Sequence, residues 1–447
     1  MKDHQGLADR IAGAVLVPGD EGYDAERSGF QLHGQHRPDV IVAAAGAEDV
    51  REAVASAAAH GTPIAVQATG HGLPRGADGG MLITTGRMDG VRIDAAARTA
   101  RVEAGVRWGA VVAAAADHGL APVNGSSPTV GAVSYTLGGG VGLLSRRFGF
   151  ASDHVRSIDV VTADGAFRHV TAESDPDLFW ALRGGRANFG VVTALEFDLV
   201  PVERIHGGGL YFDTGHIPAV LDAYREWTAT VPEEMTSSVA LVPFPDAPGV
   251  PEPLRGRYAA HVRIIHAGDS ATGERLVEPL RAVAPRLIDT VRDMPYAECA
   301  TIHAEPPFPM AYHSAHALVG ELDPAIVAAA LDAGERFIVE IRHLGGAMSR
   351  PPATPSAVGH RDARYLAAVL SPILPGHGPE ASRPGHEAFI GALAPWDLGR
   401  SVNFLYGDNA TEAEVRRAYE PADHERLVAL KAKLDPSDLF RLNHHIA

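Results

Sequence analysis

Four glycines crowd into five positions at Gly138-Gly139-Gly140-Val141-Gly142, where backbone amides could approach a phosphate without side-chain hindrance. A Rossmann fingerprint would need its third glycine where Ser145 stands and an acidic residue about twenty positions on. Asp159 and Asp164 lie at about that distance, but PTVGAVSYTL is a poor version of the required strand. No Gly-Lys-Ser/Thr follows, which excludes a Walker loop. The segment is therefore expected to form a pyrophosphate cradle of another type. A second candidate is His71 in VQATGHG, at the end of an apolar run. With 22 histidines in the chain, the plain alternative is a surface-loop residue. Hydrolase readings fail because no Gly-x-Ser-x-Gly elbow occurs. His33 with His36, and His313 with His316, share a three-residue spacing, but no His-Glu-x-x-His accompanies them and no metal is expected. Cys299 is the single cysteine, so an intrachain disulfide cannot form.

These residues must be held by a sizeable fold. At 447 residues the chain is long enough for two or three domains. Its 46% hydrophobic and 21% charged content is that of a globular protein and excludes disorder as the main state. A net charge of −16 repels phosphate backbones and anionic lipid, so neither nucleic acid nor membrane is expected as a partner. The N-terminus reads as a short amphipathic helix, not a signal peptide, and a cytoplasmic location is expected.

Glycines concentrate between residues 61 and 190. There, Val50, Val54 and Ala58 predict a helix closed by Gly61, and PIAVQAT (63–69) predicts a buried strand. Hairpins are expected over 90–106 and over 154–171, the latter turning at Asp164-Gly165. DPDLFWALRGG (175–185) reads as a capped helix, and 189–201 as a strand ended by Pro201. Beyond it, GGGLYFD, SSVALVPF, YAAHVRIIH and RFIVEIRHL read as strands, with helices at 217–230, 270–283 and 323–336. This is an α+β pattern with an antiparallel sheet. Leu427, Leu430 and Leu434 line one face of a late helix stopped by Pro436. The texture places boundaries near 204 and 402.

Six segments, in order, resemble the berberine-bridge-enzyme-type flavin-linked oxidases of the vanillyl-alcohol oxidase/PCMH fold. They are ATGHG (68–72), DGGMLITTGRMDGVRID (78–94), GSSPTVGAVSYTLGGGVG (125–142), FGFASDHV (148–155), DLFWALRGGRANFGVVT (177–193) and the stretch 402–443. The resemblance implies an FAD-binding domain over 1–204, with a PCMH-type core from about 36. It also implies a substrate domain over 205–401 and a segment 402–447 that returns to the FAD domain. FAD contacts are implied for Ala68, Thr69, Gly70, His71 and Gly72, for Ser127, Thr129, Val130 and Gly131, and for Gly138, Gly139, Gly140, Gly142 and Leu143. Gly190, Val192, Asn403 and Asn443 complete the set. The family's covalent histidine falls at His71. Its second anchor, a cysteine, is replaced by Ser127, so a single covalent bond is implied. Val130 takes a gate position beside the flavin.

Many members carry a catalytic tyrosine in Tyr-x-Asn; here the sequence is Ser401-Val402-Asn403. Tyr135, His313, His316, His360 and Tyr365 are the substitutes considered, Tyr135 first. The implied activity is an FAD-dependent oxidase that takes a hydride beside an alcohol or amine, in secondary metabolism, and reduces dioxygen to hydrogen peroxide. The missing tyrosine leaves open a non-redox cyclase or isomerase retaining FAD as structure. A flavin-storage protein is disfavoured by a middle domain of about 200 residues. Phe244, Phe308, Tyr312, Phe337 and Tyr365 suggest an aromatic small-molecule substrate. A monomer or homodimer is expected.

Overall fold

The computed structural model describes residues 4–447. Three sheets divide the chain. The first holds β1 (Ala14–Leu16), β2 (Val40–Ala43), β3 (Ile64–Gln67) and β4 (Met81–Thr84) in the order β1-β2-β4-β3. Its β2-β4-β3 core is parallel and β1 pairs antiparallel with β2. A parallel pair needs a crossover, and the helix Ala47–His60 supplies the one from β2 to β3. Its buried face is Val50, Ala53, Val54 and Ala57; Ala58, expected on that face, is exposed. Gly61 ends it at φ 62°, a left-handed conformation that glycine adopts without strain.

The second sheet is antiparallel, with β5 (Val91–Asp94), β6 (Thr99–Glu103), β7 (Val155–Val161), β8 (Phe167–Val170) and β9 (Val191–Asp198) in the order β5-β6-β9-β7-β8. Asp175 caps the helix Pro176–Gly185 by accepting from the Leu178 amide.

The third sheet has nine strands, all paired antiparallel. They are β10 (Arg204–Asp213), β11 (Met235–Pro243), β12 (Tyr258–His266), β13 (Arg286–Asp289), β14 (Arg292–Pro295), β15 (Tyr312–Val319), β16 (Ile338–His343), β17 (Tyr365–Pro372) and β18 (Asp397–Gly399). The spatial order is β13-β10-β12-β11-β16-β17-β15-β18, with β14 also on β10. Strand alternation gives it two unlike faces. Val262, Ile264, Val339, Ile341, Ala367 and Val369 point into an apolar core with the helices Ile217–Thr228 and Pro324–Ala333. His261, Arg263, Glu340 and Arg342 alternate with them, and therefore lie on the other face.

After β18 the chain returns to the first two sheets. Val402, Leu405, Tyr419, Leu427 and Ile446 join the core around the five-stranded sheet, and Leu439 and Phe440 join the core of the parallel sheet. In the helix Pro421–Leu434, Leu427 is buried while Leu430 and Leu434 are half-buried. The tail around Asn443 is irregular rather than strand-like. Its side chain does a strand's work: Oδ1 accepts from the Val66 amide and Nδ2 donates to the Val66 carbonyl.

Candidate active site

A large open cavity lies between the first two sheets and the polar face of the third. The strand β3 ends at its wall, and the loop 68–72 continues along it. The amides of Thr69, Gly70, His71 and Gly72 donate to no group among the described residues, whereas the Thr69 and Gly70 carbonyls accept from Phe30 and Gln31. Consecutive amides left open in this half-buried loop offer an anion nest. Gly70 has φ 69°, and a Cβ there would sit 2.6 Å from the Gly29 Cα, so only glycine lets the two segments run this close.

His71 stands where this loop meets the third sheet. Its ring stacks on Phe30 at 3.7 Å, its Nε2 lies 2.9 Å from Thr129 Oγ1, and Thr129 is 3.0 Å from Ser127 Oγ. Tyr312 Oη donates to the His71 carbonyl at 2.7 Å. Among the described residues no hydrogen bond engages Nδ1. Burial first, then the nearby Arg107 charge, pushes the imidazole down to about 4, so it is neutral at physiological pH.

Ala68, Thr69, Gly70, His71 and Gly72 all line the cavity, as do Ser127, Val130, Gly190, Val192, Asn403 and Asn443. Thr129 and Gly131 stand one layer behind it. The glycines expected to cradle a pyrophosphate pack behind the cavity rather than along its lining. Cβ atoms on Gly138, Gly139, Gly140 and Gly142 would meet Asn403 Oδ1, Val358, the Tyr135 ring and the Asn124 carbonyl respectively. On the side a Cβ would occupy, these glycines admit protein neighbours, and none of the four lines the cavity. Leu143 is buried in the core beside Val123 and Cys299. Asn403 is the keystone here: Nδ2 donates to the Tyr135 carbonyl at 2.8 Å and Oδ1 accepts from Arg186 at 3.0 Å.

Of the catalytic candidates, only Tyr135 reaches the cavity, and it presents its ring. The hydroxyl is buried with no hydrogen-bond partner, 2.6 Å from where a Cβ on Gly142 would stand, and burial drives its pKa upward. It is a poor base. His313 stacks on His386 at 4.7 Å. Tyr365 is in the apolar core, 2.9 Å from Thr228 Oγ1. His316 Nε2 accepts from the Ser401 amide, and His360 lies 2.8 Å from the Arg417 carbonyl. His360 and Ser401 line a separate, smaller cavity of about 480 Å³. Among the aromatic candidates, Phe337 is core, Phe308 is exposed, and Tyr312 lines the main cavity.

The cavity also brings in Glu305, Arg342, Phe404 and Tyr406, which sequence reasoning missed. Glu305 is the one carboxylate on its wall among the described residues, and it accepts from Ser126 Oγ at 2.5 Å. On the sheet, Arg342 Nε donates to Glu340 Oε2 at 2.8 Å, and Arg263 Nη1 donates to Glu340 Oε1. Burial pushes Glu340 upward, but the two guanidinium charges outweigh it and hold the carboxyl below its ordinary range. The available signal was charge inside the apolar run IVEIRH (338–343), because buried charges are rare unless paired.

A model of the FAD binding domain matches residues 38–171, and a model described as berberine and berberine like matches 402–447. The (R)-6-hydroxynicotine oxidase of Paenarthrobacter nicotinovorans is 30% identical, over 98% of this chain and 97% of its own. The chain belongs to the berberine-bridge-enzyme-like family of FAD-linked oxidoreductases. The crystal structure of 6-hydroxy-D-nicotine oxidase from Arthrobacter nicotinovorans superposes on this FAD-linked oxidoreductase with a TM-score of 0.84 at 28% identity, covering 98% of each chain. Chitooligosaccharide oxidase of Gibberella zeae is 25% identical over 95% of the chain and 90% of its own. These relatives fit an FAD-dependent oxidoreductase, not the cyclase alternative. No helix among the described residues is long and apolar enough to cross a membrane.

Proposed function

We propose that the protein is an FAD-linked oxidase that takes a hydride from the C–H bond beside an alcohol or amine of a small molecule and passes the electrons to dioxygen. The observation that carries this reading is the shared cavity: one wall is a run of unpaired backbone amides and the other is the polar face of a separate sheet. Residues 1–204 and 402–447 then form the FAD-binding domain and 205–401 the substrate domain. Bound FAD supplies the hydride acceptor. The amides of 69–72 would hold its pyrophosphate, and Val130, Gly190 and Val192 would wall the isoalloxazine. Mixing with substrate under anaerobic conditions should bleach the flavin, and admitting air should restore it with peroxide release. A panel of alcohols, sugars and amines that leaves the flavin yellow would defeat the reading.

His71 is proposed to carry the only covalent link. Its neutral ring has Nδ1 free, while Nε2 is occupied by Thr129. Ser127 offers no second bond, because a hydroxyl is a far weaker nucleophile than a thiolate at neutral pH. Acid-precipitated protein should stay yellow and yield one flavinylated peptide, containing His71. His71→Ala should release all its colour into the acid supernatant. Wild-type protein that does the same has no covalent bond.

Glu305 replaces the sequence candidates as proton acceptor, since it is the carboxylate that faces the cavity. Glu305→Gln preserves shape and the Ser126 contact but removes the base. The rate of anaerobic flavin reduction should fall by about 10²–10⁴-fold at unchanged flavin content. A reduction rate within a few-fold of wild type would exclude Glu305.

A further inference from the structure

We infer that the cavity holds a carboxylate site on Arg342, so that the substrate is an alcohol or amine that also carries an acid group; this deepens the oxidase reading and rests on it. Arg342 lies in the middle of the third sheet, on the face turned to the cavity, and lines that cavity. Its Nε is spent on Glu340 at 2.8 Å. Nη1 and Nη2 make no hydrogen bond to any described residue. They are nevertheless held in place. The neighbouring strand fixes Glu340 from the far side through Arg263, whose own Nε donates to His261 Nδ1 at 3.2 Å. The guanidinium also lies 5.3 Å from the centre of the Phe404 ring, which restricts its tilt.

No carboxylate among the described residues is hydrogen-bonded to the terminal nitrogens of Arg342. Two guanidinium groups, Arg263 and Arg342, share one carboxylate, Glu340. Glu305, on the wall of the same cavity, adds a negative charge that helps keep Arg342 charged, but its hydrogen bond goes to Ser126. The side chain of Arg342 is 17% exposed, so its open edge meets the cavity and not bulk water. A planar guanidinium with one edge satisfied and its two terminal nitrogens free matches the two oxygens of a carboxylate. Donors shielded from bulk water without acceptors are costly, and a substrate carboxylate satisfies both terminal nitrogens on binding. A lone hydroxyl or amine would satisfy only one of them.

The test is a binding titration on the flavin-loaded protein. Acetate, benzoate and phenylacetate are each compared with the corresponding amide, by calorimetry and by the change in flavin absorbance. At least one acid should bind ten- to a hundredfold more tightly than its amide. Arg342→Gln should erase that difference, and Arg342→Lys should restore only part of it, because a point charge lacks the fork. The Gln variant should fold, because Glu340 keeps Arg263. Acids and amides that bind alike in the wild-type protein overturn the proposal whatever the variants do. So does loss of bound FAD from Arg342→Gln with acid preference intact, which would assign the fork to the cofactor. None of these readouts needs turnover. Failure of the oxidase reading would show instead as flavin that no substrate reduces.

Discussion

A chain ended at Val402 should be insoluble and colourless. The residues removed do not decorate a finished domain. Leu405, Val415, Tyr419, Leu427 and Ile446 are part of the core around the five-stranded sheet, Leu439 and Phe440 fill the parallel-sheet core, and Leu442 packs beneath it. At about 1.5–3 kcal/mol for each large apolar side chain buried, their loss matches or exceeds the 5–15 kcal/mol that ordinarily separates folded from unfolded. Removal also strands polar groups. The amide of Ile64 loses the Leu439 carbonyl at 2.7 Å, and Val66 loses both bonds to Asn443. Expression, circular dichroism and absorbance in the visible check this directly; a soluble yellow truncation would refute it.

Acid should unfold the protein well before its carboxylates are protonated. Burial pushes His36 and His386 down to about 4, His316 and His444 to about 3, and His343 to about 2. In the unfolded chain each titrates near ~6.5. Between that value and its folded pKa, each histidine is protonated in the unfolded chain and neutral in the folded one. Stability is therefore complete above about pH 6.5 and is lost as the pH falls. Each contributes up to about 1.4 kcal/mol per pH unit across that window, so even two or three acting fully would remove several kcal/mol by pH 4.5. The melting temperature should drop steeply between pH 6 and 4.5. A melting temperature flat over that interval would show that these rings find water or partners when charged.

Local chemistry made much of the scaffold legible. Gly61 does close the first long helix, Asp175 does cap the helix after it, and Gly165 at φ 73° does turn the second hairpin. YAAHVRIIH forms β12 at the residues read for it. Such features are decided by neighbours a few residues away. The strands β15 and β17 escaped because their edges depend on each other, paired from Tyr312–Pro372 to Val319–Tyr365. The cavity wall was harder still. A histidine or tyrosine looks equally reactive on either face of a strand, and only pairing decides that Tyr365 points into the core while Arg342 faces the cavity. The glycine segment misled for a related reason. The close neighbours are protein atoms: Asn403 at Gly138, from more than 250 residues away, Val358 at Gly139, Tyr135 at Gly140 and Asn124 at Gly142.

That Asn403 and Asn443 share a wall with Val66 and Val192 sets an order on biogenesis. The ribosome makes the third sheet and the 403–444 stretch only after the first two sheets, with about two hundred residues separating Val192 from Asn403. At roughly 5–20 residues per second, the nascent chain waits tens of seconds with Val130, Val133, Leu137 and Val192 on an uncovered surface. Cofactor capture cannot be completed in that interval, because the groove has only one side. Flavin supply should therefore matter most around the time the 403–444 stretch emerges, and slow translation of the middle region should lengthen the exposure to chaperones and aggregation.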